Sequence, residues 1–136
     1  MGAWSHESFG NDDACDWASQ LEGTQGLKLV EATLDKVLAS GDEYLEAPEA
    51  SEAIAAAETV ARLQGNSGRR DPYSEAVDTS VEEVKLTPSQ ALATKAKRAL
   101  DRVVSEPSEL LELWQEGEEG GVWLASIAEL KARIDA

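Results

Sequence analysis

A chain of 136 residues fits one domain, residues 1–136, and is long enough to bury a core without disulfides or a structural metal. Its 27 acidic against 12 basic residues give a formal charge of −15, which argues against nucleic acid, since affinity for a phosphate backbone comes chiefly from Lys and Arg. The single cysteine, Cys15, excludes an intramolecular disulfide, and no apolar run approaches the roughly 20 residues that span a bilayer.

Cys15 reads as an inert thiol in a reducing compartment, and no basic start with an apolar stretch marks a secretory signal, so a cytoplasmic location is expected. Met1-Gly2 lacks the Ser or Thr that myristoylation wants at the sixth position, which is His6. Aromatics make up only 5% of the chain, and four of the seven are Trp, so the core must consist mostly of Ala, Leu and Val. Such a core suits closely packed helices.

The N-terminal stretch places Trp4 and Phe9 ahead of Asn11-Asp12-Asp13, a run suited to capping a helix and favouring its positive end. A docked N-terminus is expected. The first helix should run from about Asp12 to Leu21, with Ala14, Trp17, Ala18 and Leu21 on one face. A second is predicted over about Gln25 to Ser40, with the stripe Leu27, Val30, Leu34, Val37 and Leu38, Leu29 pointing the other way, and Gly41 just past the end. Pro48, tolerated in a first turn, opens a third helix to about Gln64. Its arc of Ala50, Ala53, Ile54, Ala56, Ala57, Val60, Ala61 and Leu63 covers about half the circumference and marks it as the central helix.

From Gly65 to Lys85 the pattern weakens: Gly65 to Pro72 reads as an exposed turn-rich loop, and Val81, Val84 and Leu86 are expected to pack as a short helical turn. Thr87-Pro88-Ser89-Gln90 combines an N-cap, a first-turn proline and a Gln three residues on, predicting a fourth helix from there to about Ser105. Its buried face is Leu92, Ala96, Ala99, Leu100 and Val103. After Pro107, Ser108 should cap a fifth helix through Glu116 with Leu110, Leu113 and Trp114 as packing residues. Glu118-Glu119-Gly120-Gly121 reads as a break before a last helix from about Val122 carrying Trp123, Leu124, Ile127, Ala128, Leu130 and Ile134. No period-2 strand pattern competes, so the fold class is all-α: a compact bundle of about six helices around an Ala-rich centre.

Gly2-Ala3-Trp4, Phe9, Asn11-Asp12-Asp13-Ala14 and Asp16-Trp17 resemble the opening of a bacterial family of unknown function whose members begin Gly-Ala-Trp-Gly-x-Gly-x-Phe-x-Asn-Asp. Tyr44-Leu45, Glu49-Ala50-Ser51-Glu52-Ala53, the run Ala55-Ala56-Ala57-Glu58 with Val60-Ala61, and Ser108-Glu109-Leu110 to Leu113-Trp114 extend the similarity over nearly the whole chain. Ser5 and Glu7 stand where that family has glycine, which counts against a ligand loop that depends on positive φ there. The resemblance implies a small helical cytosolic protein and transfers no catalytic residue.

Candidate chemistry is sparse. His6 with Glu7, Asp12, Asp13 and Asp16 offers cation ligands, but without EF-hand or zinc spacing, and capping of a helix is the simpler use. Glu58 among alanines reads either as a buried general base or, with Arg62 one turn on, as an ion pair at the edge of the apolar arc. There is no nucleophile elbow, phosphate-binding glycine loop or second histidine, so no enzyme and no cofactor is expected. Lys85, Lys95, Lys97, Arg98 and Arg102 form the one basic face, while Asp42 through Glu58 and Glu106 through Glu119 contain no basic residue; internal neutralisation is the simpler role for the cations. Trp114 and Trp123 either pack together or leave one ring exposed as an interface anchor.

The expected function is therefore a non-enzymatic helical module for a basic protein partner, of which toxin-neutralising immunity proteins are one instance. Its candidate surface is Trp4, His6, Asp12, Asp13, Glu58 and Trp114. The rival is a small-molecule or metal site between the N-terminal loop and the central helix, walled by Trp4, Trp17 and Glu58. A plainer use of the acidity is solubility alone.

Overall fold

Val30, Leu34 and Val37 recur at the spacing of one helix face, and in the computed structural model all three are fully buried on α1, Gly26–Ala39. The structure describes residues 16–17, 26–41, 43–65, 89–116 and 120–134. Within them the other helices are α2 (Ala47–Leu63), α3 (Gln90–Val103), α4 (Glu109–Glu116) and α5 (Gly120–Arg133). Asp16 and Trp17 are helical as well, inside the span expected for a first helix. Of the sequence expectations, the docking of Trp4 and Phe9, the cap by Asn11-Asp12-Asp13 and the packing of Val81, Val84 and Leu86 lie outside the described residues.

α2 is the centre. Twelve of the thirteen positions from Ala50 to Arg62, all but Glu52, are buried, and the helix touches each of the other four. Alanines at 50, 53, 55, 56, 57 and 61 are fully buried, so neighbours meet its backbone on nearly every side. Against it lie Leu92, Ala96, Ala99, Leu100 and Val103 of α3, the predicted face, with Ala93 beside them, and Trp123, Ile127 and Leu130 of α5. Trp17 is 1% exposed, and its indole Nε1–H donates to Thr33 Oγ1 at 2.8 Å, whose own hydroxyl donates to the Leu29 carbonyl. That keeps the one polar atom of a buried indole paired.

α1 and α2 end where the sequence suggests. Gly41 sits at φ 55° just past α1, in the left-handed region that a Cβ makes costly, and Gly65 follows α2 at φ 87°. Among the described residues the only strand-like pairing is an isolated parallel bridge between Leu45 and Ser108, and no helix is long and apolar enough to cross a membrane.

Five details differ from the sequence reading. The cap of α3 is Ser89 rather than Thr87, because the Ser89 hydroxyl reaches the Leu92 N–H at 3.1 Å from an extended backbone. Gly120-Gly121 is the first turn of α5 rather than a break. A Cβ on Gly120 would lie 2.7 Å from the Trp114 carbonyl oxygen, so the glycine is what lets α5 start against the end of α4. Leu111, not Leu113, joins Leu110 in the core, since Trp114 turns instead toward α5. On α5 Leu124 and Ala128 are exposed, and the buried row is Trp123, Ile127 and Leu130, with Ile134 buried just past its end. Leu29 is half-buried and packs on the core instead of facing away.

Candidate functional site

The two stretches that lack any basic residue, 42–58 and 106–119, meet in the fold. Their junction is the Leu45–Ser108 bridge. Leu45 N–H donates to the Pro107 carbonyl at 3.1 Å, and Glu109 N–H donates to the Leu45 carbonyl at 2.8 Å. Leu45 and Ser108 are fully buried, and the Ser108 hydroxyl caps α4 through the Leu111 N–H at 3.4 Å. Glu46 sits at the cap of α2 without a side-chain capping bond. Glu109, from across the bridge, takes that place by accepting from the Ala47 N–H at 2.8 Å.

Packing Leu45 inward turns its neighbour outward, because adjacent residues of an extended segment face opposite ways. Tyr44 is thus 51% exposed, the most exposed large apolar side chain among the described residues. Carboxylates surround it. Partial burial is the first cause raising its phenol above the ordinary tyrosine value, followed by the charges of Glu112 and Glu109, a hydrogen bond with Glu112, and the charge of Glu46. Glu43, Glu46, Glu106, Glu112 and Glu116 are exposed around this junction. Among the described residues, no Lys or Arg pairs with any of them.

Among the described residues one cation reaches the junction, and it binds backbone. Arg102 of α3 donates from Nε to the Gly41 carbonyl at 3.0 Å, from Nη1 to Ser105 at 2.9 Å, and from Nη2 to Glu43 at 2.6 Å and Pro107 at 3.0 Å. Lys85 of the basic face lies outside the described residues. Lys95 pairs with Asp35 at 2.8 Å and Glu31 at 3.3 Å, the internal neutralisation expected from sequence, while Arg98 is exposed.

Glu58 stands elsewhere, in the C-terminal half of α2, and is 3% exposed. Its Oε2 lies 3.3 Å from Arg62 Nε, so the expected pair exists, but inside the molecule rather than at a boundary. Sequence reasoning missed the stronger partner. Arg133 of α5 forks onto the carboxylate, Nη1 to Oε2 and Nη2 to Oε1, both at 2.7 Å, and its Nε donates to Glu129. Hydrogen bonding to Glu58 is the main cause holding the Arg133 guanidinium above its usual value, against the opposing effect of burial. The carboxylate weighed as a general base is thus engaged by two guanidiniums.

Trp114 is half-buried and stacks on Trp123, with ring centroids 6.0 Å apart and planes 4° from parallel, which fulfils the packing alternative. Trp4, His6, Asp12 and Asp13 lie outside the described residues. The fold therefore does not gather the sequence-derived site list into one place: Glu58 and Trp114 occupy separate parts of the core, and Tyr44 was not on it. The signal that could have found Tyr44 was its position as the one aromatic ring inside the stretch from Asp42 to Glu58. Among the described residues no group of three or more His, Cys, Asp or Glu side chains is arranged to hold a metal ion.

Neither a curated protein nor a solved structure matches the chain. A family model does, over residues 2–126, and with that span the chain belongs to the family described as Domain of unknown function (DUF4259).

Proposed function

We propose that this protein is a non-enzymatic binding module whose partner is a basic protein segment, and that the partner docks on the surface around Tyr44. One observation carries this reading: a half-exposed ring stands among Glu46, Glu109 and Glu112 where two acidic stretches converge, with no cation of the described chain paired to the exposed carboxylates. An aromatic face beside carboxylates attracts an Arg or Lys side chain twice over, through the ring quadrupole and through charge. The net charge of −15 steers such a partner in and repels phosphate backbones. A non-catalytic role is supported by the engagement of Glu58, the one buried carboxylate among the described residues, with Arg62 and Arg133.

The test is calorimetric titration with a synthetic peptide of alternating Arg and Gly. Tyr44→Ala and Glu112→Lys are each expected to weaken binding about tenfold, as loss of an interface anchor does. The charge-matched reversal Glu31→Lys on α1 should weaken it far less. Equal losses from Glu112→Lys and Glu31→Lys would mean that the peptide reads net charge alone, and the proposal would fall.

A further inference from the structure

We infer that Arg102 is the positioning residue of the Tyr44 surface, fixing in one geometry both chain segments from which the ring and its carboxylates project; the inference rests on the binding role proposed above. The two peptide units flanking Tyr44 are each tied down. The carbonyl before it, that of Glu43, accepts from Arg102 Nη2 at 2.6 Å. The amide after it, that of Leu45, donates to the Pro107 carbonyl, and Pro107 is held in turn by the same Nη2 at 3.0 Å. Gly41 and Ser105, upstream on each segment, bind the other two nitrogens of the same guanidinium. Glu109, one residue past the bridge, inherits its place from the Leu45 carbonyl and caps Ala47.

Only a planar fork can do this. Arg presents five donors in fixed directions, whereas Lys is a point charge with three donors on one atom and cannot span four carbonyls in two segments. The use of carbonyls also matters for the carboxylates. A cation satisfied by backbone leaves Glu46 and Glu112 open toward solvent, so the device orders the acidic surface without neutralising it through direct pairs.

The experiment compares Arg102→Lys, Arg102→Gln and Arg102→Ala with the parent, all in a Tyr73→Phe background so that Tyr44 is the one phenol titrated. Amide hydrogen exchange should speed up about tenfold or more at Leu45 and Glu109 while Val60 and Ala96 keep their protection, because the junction opens locally and the α2–α3 core does not. The Tyr44 phenol should titrate lower, toward its ordinary value, as the ring leaves its carboxylates. Binding of the Arg/Gly peptide should weaken about tenfold through lost preorganisation, and Lys should not rescue it.

A role through charge alone predicts the reverse: loss of a cation raises the phenol, and Lys restores it. That result, or unchanged protection at Leu45 and Glu109, overturns the inference. If Arg102→Ala does not fold, the Gln and Lys variants carry the same readouts. If exchange and titration shift as expected while the parent fails to bind the peptide, the positioning role of Arg102 stands and the binding role falls.

Discussion

The two arginines that reach across the bundle to α2 and its approach segment do opposite things. Arg133 closes on a carboxylate, Glu58, deep in the C-terminal half of the helix, where that side chain is 4% exposed. Arg102 closes on four carbonyls at the N-terminal approach and leaves the local carboxylates to solvent. At one end charge is consumed within the fold; at the other it faces solvent. The contrast teaches that in a chain this acidic, the placement of a few cations decides which carboxylates are structural and which remain available.

The largest expected effect breaks the first half of that contrast. Glu58→Ala takes away the carboxylate shared by buried Arg62 and part-buried Arg133, and losing one partner of a buried ion cluster costs about 3–5 kcal/mol. Urea denaturation should show that loss, with the midpoint lowered and the slope unchanged. A loss under about 1 kcal/mol would mean that water reaches the cluster as it reaches a surface pair.

Next comes the seat of α5, which carries Arg133. Gly120→Ala puts a Cβ 2.7 Å from a backbone oxygen that cannot rotate away, so the start of the helix must shift. The expected cost is about 1–3 kcal/mol, as for overpacking. Gly121→Ala meets nothing within 4 Å and should be neutral or stabilising by up to about 1 kcal/mol, through helix propensity. Thermal unfolding of the two variants side by side checks the sign of the difference.

Local features of this architecture were readable before any coordinates. Val30, Leu34 and Val37 and the buried row of α3 follow from a period of 3.6, and Ser108 and Gly41 do as their chemistry suggests, whereas α2, read as apolar over half its circumference, is buried on nearly every side and leaves Leu63 half-buried. What escaped was contact between distant elements. Arg133 and Glu58 are 75 residues apart, and Arg102 lies 61 residues from Gly41; no local period encodes which cation meets which acceptor. The rotation of α4 and α5 escaped for a related reason. Leu110, Leu111, Leu113 and Trp114 offer more apolar positions than one face can hold, and the choice was made by the stacking of Trp114 on Trp123. The candidate surface was half legible: both acidic stretches were visible, but their meeting through Leu45 and Ser108 is a property of the tertiary fold.

At the solvent-facing end, removing a capping charge should cost less than removing Glu58. Glu109→Gln keeps an acceptor for the Ala47 N–H but loses its charge at the N-terminus of α2, for an expected loss of about 0.5–1 kcal/mol. Glu109→Ala removes both and should cost about 1–2 kcal/mol. Either loss equalling that of Glu58→Ala would erase the distinction between the two ends.

The smallest effect is expected two residues from Arg133 on α5. Lys131 pairs with Asp101 at 2.7 Å, as short as the Arg133 contacts to Glu58, yet its side chain is 42% exposed and that of Asp101 58%. Water screens both charges, and two long side chains lose freedom to meet, so a double-mutant cycle with Lys131→Met and Asp101→Asn should give a coupling of about 0–1 kcal/mol. Raising the salt to 1 M, where the screening length is about 3 Å, should abolish it. The same cycle on Arg133 and Glu58 should retain most of its coupling in that salt. Equal distances with unequal couplings would show that burial, not proximity, separates the carboxylate used inside the fold from those left at its surface.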